Sequence, residues 1–351
     1  MKPNKEKYYT YIAFLIIFMF MCILVSASFG SSSVTIIDTF KILLSKVPIL
    51  NNFIDLDGIK ESYKVIVLKV RFPRILESAL VGGALSLVGC TFQAIFRNSL
   101  ADPHILGISS GAAFGATIAI LSGFSLNFLG MGVISIFAFI GAIITVIVVY
   151  KVGSIGGNLI VLNLLLTGTA ISTMISSAIS LLMIYNRQQL ENIYLWTLGS
   201  FSSANFNKVI FLAIISLIGT LIIFMFSRDL NIIMTGYEAA SSLGVDVKQV
   251  NNILIIASSL LIAASVSVSG TIGFVGLIIP HCMRLIVGYD HKILLPFSYI
   301  GGASFMIICD TIARTVASPT EIPVGIITAF FGAPYFIYLI YKNTKKRSYE
   351  V

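Results

Sequence analysis

Charge is scarce in this sequence: of 351 residues only 11% are Asp, Glu, Lys or Arg, whereas 57% are hydrophobic. So few charges cannot cover the apolar surface of a globular domain in water, and the mean hydropathy of +0.97 points the same way. Histidine is scarcer still, with 3 in the chain, and the 4 cysteines (Cys22, Cys90, Cys282, Cys309) each lie within or beside an apolar run. No CxxC pair or Cys/His spacing suits zinc, so we expect packed thiols and no metal site. No Ser/His or His/Asp/Glu cluster marks a catalytic centre, and we expect no catalytic residue. The phosphate-binding pattern GxxxxGK[ST] is missing, which excludes an ATPase of that kind in this chain. The Lys and Arg residues behind the formal net charge of +8 lie between and beyond apolar runs, without interleaved aromatics, so no nucleic acid is expected as a partner.

Long apolar runs are what the sequence has instead. Bilayer hydrocarbon is roughly 30 Å thick and takes about 20 apolar residues per helix. Candidate spans run from Tyr8 to Ser28, Ile75 to Phe96, Ile105 to Ser122, Phe128 to Tyr150 and Leu159 to Tyr185. Five more run from Phe206 to Phe226, Val250 to Val268, Ile272 to Gly288, Leu294 to Ala313 and Val324 to Tyr341. The fold class expected is all-α, a polytopic membrane protein of about ten transmembrane helices in one domain, 1–351, with the bilayer as solvent. An even number of spans puts both termini on one side. Both are basic, with Lys2, Lys5 and Lys7 at the start and Lys342, Lys345, Lys346 and Arg347 at the end, so both are expected in the cytoplasm at the plasma membrane. The first run, followed by Ser26, Ala27 and Ser28, can also be read as a secretory signal; we expect a retained helix. This topology places Phe29 to Arg74 outside, although it carries Lys41, Lys46, Lys60, Lys64, Lys69, Arg71 and Arg74. Long translocated segments obey the charge rule less strictly.

Three features interrupt the apolar runs. Gly107, Gly111 and Gly115 recur every four residues in GISSGAAFG, a device for helix packing. RNSLADPHILG places Asn98, Leu100, Asp102, Pro103 and His104 between two spans, and GTIGFVGLIIPHCMR places Pro280, His281 and Arg284 in the other half. Polar, proline-bearing backbone at membrane depth survives only where protein or a wet cavity satisfies it, so the first stretch is read as a re-entrant or pore-lining break. Breaks in both halves suggest two inverted five-helix repeats. The segment 228–249 is polar and reads as short surface helices, with Gly244 as a stop.

Ion-coupled transporters keep ionisable groups at mid-membrane. Here Glu77 falls near the outer end of its span, as do Asp310 and Arg314, which sit four apart and can pair. The driving energy is then expected from a partner rather than from an ion gradient.

RFPR, LVGGALSLVGCTFQAIFRNSLADPHILGISSGAAFGA, WTLGSF, GYEAASSLGV, SGTIGFVGLIIPHCMRLIVGYDH, DTIAR and EIPVGIITAFFGAPYFIYLI occur in this order across the chain. Together they resemble the FecCD-type permeases of ABC importers for ferric siderophores, haem and cobalamin. The resemblance implies a subunit that pairs with a second copy or paralogue around a central path. It also implies two cytoplasmic ATPase subunits, which hold ATP and magnesium while this chain holds no cofactor, and an external substrate-binding protein. Gly236, Glu238, Ala239, Leu243 and Gly244 match the segment that couples to the ATPase. Arg71, Arg74 and Arg314 match positions that grip acidic residues of the binding protein, work that suits a bidentate guanidinium. Asn98 and Leu100 match a stretch beside the inner end of the path. Ser99, Tyr237 and Thr271 depart from the pattern, standing where proline, an acidic residue and proline are usual. Ferric siderophore is the expected substrate, with haem and cobalamin as alternatives and an ion-coupled secondary transporter as the remote one.

Overall fold

A computed structural model describes residues 5–30, 34–46, 55–56, 58–124, 127–128, 131–154 and 161–348. Lys2 lies outside the described residues. Seven helices are long and apolar enough to cross a membrane: Tyr8–Ser28, Glu61–Ile95, Val133–Gly153, Leu162–Tyr185, Phe206–Met225, Val247–Ser269 and His291–Thr315. Three shorter apolar helices, Ile108–Ser122, Val275–Val287 and Val324–Leu339, complete the ten runs read from the sequence.

In chain order, helix α1 is Lys5–Ser28, α2 is Ile36–Leu44, α3 is Glu61–Val65 and α4 is Phe72–Ile95. The stretch expected as an outer loop up to Arg74 is in fact helical from Glu61, so the second span begins fourteen residues before the expected Ile75. A wide π turn over Ile66–Arg71, in which the Phe72 amide reaches back to the Val67 carbonyl, joins α3 to α4 and absorbs the missing amide of Pro73. Helix α5 is Ile108–Ser122, α6 Val133–Gly153, α7 Val161–Tyr185, α8 Leu190–Thr197, α9 Phe206–Met225, α10 Ser227–Ile233 and α11 Tyr237–Ser242. Helix α12 is Val247–Ser269, α13 Val275–Val287, α14 His291–Thr315 and α15 Val324–Ser348. A two-residue antiparallel pair, Asn127–Phe128 with Met131–Gly132, precedes α6.

Helix α4 is the axis of the bundle, buried along nearly its whole length from Pro73 to Ile95. Its small residues make this possible: a side chain on Gly82 would strike the Gly302 carbonyl of α14, and one on Gly89 the Gly276 carbonyl of α13. The pairing of helices repeats when each is advanced by five spans. The second span packs on the ninth and the seventh on the fourth; the third and fourth pair as the eighth and ninth do, and the fourth and fifth as the ninth and tenth. An odd number of crossings per half inverts the second relative to the first. The first span breaks the symmetry by lying against the ninth.

Gly302→Leu tests the backbone contact between α4 and α14. Overpacking of this kind costs about 1–3 kcal/mol, so the variant is expected to melt earlier in detergent, while Ala at exposed Ile144 of α6 leaves the midpoint unchanged.

Candidate functional site

At 15 and 13 residues, α5 and α13 reach only about 20 Å, short of a bilayer's hydrocarbon. Non-helical backbone completes their crossings, and these pieces meet inside the protein. A side chain on Gly276, at the start of α13, would touch the Leu85 carbonyl of α4 at 2.7 Å and the Pro103 ring at 2.7 Å. Leu85 and Gly89 lie about 9–15 Å up the helix from its last residue, so the chain leaving α4 turns back into the membrane.

Each turn of this re-entrant stretch has a local cause. Arg97 takes a left-handed φ of 48°. The Asn98 amide donates to the Gln93 carbonyl at 3.1 Å, closing the end of α4. The Asn98 side-chain oxygen accepts from the Leu100 amide at 2.9 Å. The Asp102 carboxylate accepts from the His104 amide at 2.8 Å, capping a short 3₁₀ turn, Pro103–Leu106. His104 Nε2 lies 2.8 Å from the Ile272 carbonyl. A carbonyl only accepts, so Nε2 carries the proton and Nδ1 accepts from the Ser109 hydroxyl at 2.5 Å. Gly107, read as the first of three packing glycines, abuts Gly168 and Ser172 of α7 and is also the left-handed hinge (φ 73°) before α5. Gly111 and Gly115 face Thr145, Gly141 and Phe137 of α6.

Residues 197–200, 269–271 and 324–325 close the other side of this junction. The Ser200 amide donates to the Ser269 carbonyl at 2.8 Å, the Val324 amide to Gly199 at 3.0 Å and the Gly325 amide to Leu198 at 3.1 Å. The Thr271 hydroxyl donates to the Thr197 carbonyl. Two cavities flank α8. One of about 730 Å³ is lined by Asn192, Trp196, Ser200, Ser203, Ser269 and Glu321 among others. One of about 470 Å³ is lined by His104, Ser109, Ser176, Ser180, Thr197 and Thr271 among others. Along α7, exposed Thr169, Thr173, Ser177 and Ser180 bond back to their own helix, at 2.9 to 3.0 Å, so this polar face needs no water to be satisfied but can present oxygen to it. The sequence carries that stripe as hydroxyls three and four apart within an apolar run, a signal absent from the residues singled out above.

The second break is built differently from the first. Pro280 lies inside α13 and has no amide for the carbonyl four residues back, that of Gly276. Gln93 of α4, itself buried, supplies the donor: its Nε2 is 3.3 Å from the carbonyls of Gly276 and Leu277, and its Oε1 accepts from Arg284 at 2.8 Å. His281 sets its ring edge-on to Tyr335 of α15 at 6.3 Å between centroids. The Pro-His pairs of the two halves therefore do not meet; Pro103 and His104 instead contact the front of α13. Gln93, a lone amide in an apolar run, could have been flagged by asking what satisfies a proline-freed carbonyl.

Arg71, Arg74 and Arg314 are only 4%, 8% and 7% exposed, and each is engaged with groups of its own chain. Arg74 grips Asp310 at 2.8–3.0 Å through Nε and Nη2, and Glu321 at 2.9 Å through Nη1. Arg314 reaches the Phe29 carbonyl at 2.8 Å, the Ser26 hydroxyl at 2.7 Å and the Ser26 carbonyl. Its Nε sits 3.7 Å from Asp310. Arg71 donates to the carbonyls of Ala27 and Ser28 at 2.8 and 2.9 Å. Two guanidiniums thus take up the last carbonyls of α1, which a helix end leaves unpaired. Glu77, five residues into α4, is fully buried.

The polar segment 228–249 holds α10 and α11. Leu230 and Ile233 bury one side of α10. Glu238, Ala239, Leu243 and Gly244 are exposed, Leu243 to 67%. Gly236 (φ 129°) and Gly244 (φ 85°) bracket α11, and the Val245 amide returns to the Ala240 carbonyl at 3.1 Å as a helix stop. Tyr237 faces inward, its hydroxyl donating to the Ile95 carbonyl at 2.5 Å. Burial pushes its phenol above the usual range, only partly opposed by Arg97, so it remains protonated and a donor.

Arg71 and Arg314 hold residues 26–29 in the folded chain. Mass spectrometry of the purified chain is expected to find α1 attached. Arg314→Ala leaves carbonyls and Asp310 short of partners in a buried site, a loss of about 3–5 kcal/mol that thermal melting in detergent should register.

Residues 15–342 match the sequence profile of the FecCD transport family. The cobalamin import system permease protein BtuC of Halobacterium salinarum is 40% identical over 283 residues, covering 81% of this chain and 75% of that protein. The Fe(3+)-citrate import system permease protein YfmD of Bacillus subtilis is 36% identical over 344 residues, 97% of each chain. A solved metal-chelate type ABC transporter in an inward-facing conformation superposes with a TM-score of 0.81 at 33% identity, over 97% of this chain and 100% of that one.

Proposed function

The chain belongs to the FecCD transport family of ABC importer permeases, and from that premise we propose that it carries a metal chelate inward, a ferric siderophore first among the candidates. The observation that carries this reading is the junction of broken helices with a cavity on either side. The lining of the two cavities mixes apolar and aromatic side chains with hydroxyls, the amides of Gln189 and Asn192, His104 and the Glu321 carboxylate, and offers weak, replaceable contacts to a bulky ligand in passing. Haem and cobalamin are the alternatives; relatives named for hemin and cobalamin are each 40% identical to this chain. An ion-coupled mechanism finds less support, because Arg74 and Arg314 meet the charge of Asp310 near the start of α4.

In this reading a second copy or paralogue completes the path, and ATP with magnesium is held by two separate ATPase subunits. The exposed face of α11 and its stop, with Glu238, Ala239, Leu243 and Gly244, seats in a groove of the ATPase as a short helix can. With the three arginines engaged internally, an acidic binding protein is met by the exposed lysines Lys41, Lys46, Lys60 and Lys69. Both termini lie in the cytoplasm.

Reconstitution of the chain with its ATPase in vesicles tests the proposal. Binding protein loaded with ferric siderophore is expected to stimulate ATP hydrolysis and uptake more than haem- or cobalamin-loaded proteins. Uptake by the chain alone, driven by an ion gradient, contradicts it. Leu243→Asp places a charge in the docking face and is expected to weaken ATPase capture in detergent about thirtyfold, the scale of an interface hot spot.

A further inference from the structure

The end of α4 has four carbonyls without helical partners. Amides of the turn satisfy three: Phe96 bonds the Phe92 carbonyl at 2.8 Å, Asn98 the Gln93 carbonyl at 3.1 Å and Arg97 the Ala94 carbonyl at 3.1 Å. The fourth, on Ile95, is taken by the hydroxyl of Tyr237, 142 residues away on α11. Arg97 lies over the Tyr237 ring at 5.8 Å, holding it from the other side. Tyr237 is thus clamped between the exposed segment and the corner where α4 gives way to the re-entrant turn. Residues 96–104 then run directly to His104 and its bond to the Ile272 carbonyl at the helix junction.

We propose that Tyr237 is the positioning residue through which movement of α11 reaches the re-entrant turn: the phenol passes displacement to Ile95, and the stiff, capped stretch 96–104 passes it to the His104–Ile272 contact. The inference rests on the reading of α11 as the ATPase-facing helix. It goes beyond that reading by naming the hydrogen bond that joins α11 to the end of α4. Coupling needs a discrete physical connection that both ends can bias, and a single short bond between an exposed helix and a buried helix end provides one. The competing route runs through α10, whose Leu230 and Ile233 sit in the core and whose Asn231 bonds Asp290 and His291 at the start of α14.

Tyr237→Phe separates the routes, since it removes the hydroxyl and keeps the ring under Arg97. The complex of this chain with its ATPase is examined by hydrogen-exchange mass spectrometry, without nucleotide and with ATP trapped by vanadate. In the unmodified complex the amides of 97–107 are expected to change exchange rate on trapping by about fivefold or more, the low end of allosteric coupling. In Tyr237→Phe the same trapping leaves them within about twofold, at unchanged ATPase binding. An equal response of 97–107 in the variant overturns the inference and assigns transmission to α10. Loss of response together with loss of ATPase binding overturns it as well, because Tyr237 is then part of the docking surface. Failure of the unmodified chain to bind the ATPase removes the functional reading itself, a distinct outcome.

Discussion

Backbone amides and carbonyls at membrane depth must find partners inside the protein, and the arrangement of this molecule follows from that constraint. Two of its apolar helices, α5 and α13, are short. The chain that completes their crossings is non-helical, and its polar groups are satisfied by one another: His104 with Ile272, Ser200 with Ser269, Thr271 with Thr197, Gly199 and Leu198 with the start of α15. The junction is dry in its bonding yet bordered by cavities. A path through the protein can open there without exposing a helix ladder to lipid, because no helix ladder is present to be broken.

A second constraint operates at the end of the bundle where α1 finishes. Buried arginines stabilise only when their donors are used and their charge is met. Arg74 has both through Asp310 and Glu321, Arg314 bonds the end of α1 and lies 3.7 Å from Asp310, and Arg71 donates to the carbonyls of the same helix end. The ninth span thereby ties the first to the second. The opposite end of α4 carries its own polar links, Gln93–Arg284 and Tyr237–Ile95 among them.

Much of this was legible in the sequence. Apolar run length located all ten spans, because the bilayer sets their length, and the polar break around Pro103 and His104 was recognisable as backbone that had to be sheltered. Other features were not legible for physical reasons. Helix α3 and the π turn carry Lys64, Lys69 and Arg71, so hydropathy ends the span at Ile75 although the backbone continues helical to Glu61. Whether an arginine grips a partner or a carbonyl of its own chain depends on a contact across 43 or more residues, which spacing does not encode. Gly107 fits a four-residue repeat but also serves as a left-handed turn, since the helix it was assigned to starts one residue later. Tyr237 drew notice only as a departure; its bond to Ile95 follows from the way α4 ends.

The claim on which the account depends is that the junction inside the bundle borders water, although it lies at membrane depth. In protein with Cys22 and Cys282 replaced by serine, Thr271→Cys and Ile144→Cys can be compared for reaction with a small, hydrophilic, membrane-impermeant thiol reagent in lipid vesicles. Thr271 is half-buried beside a cavity, and Ile144 is 55% exposed on the apolar face of α6. The account predicts modification of the cysteine at 271 and none at 144. Protection at 271 with reaction at 144 contradicts it.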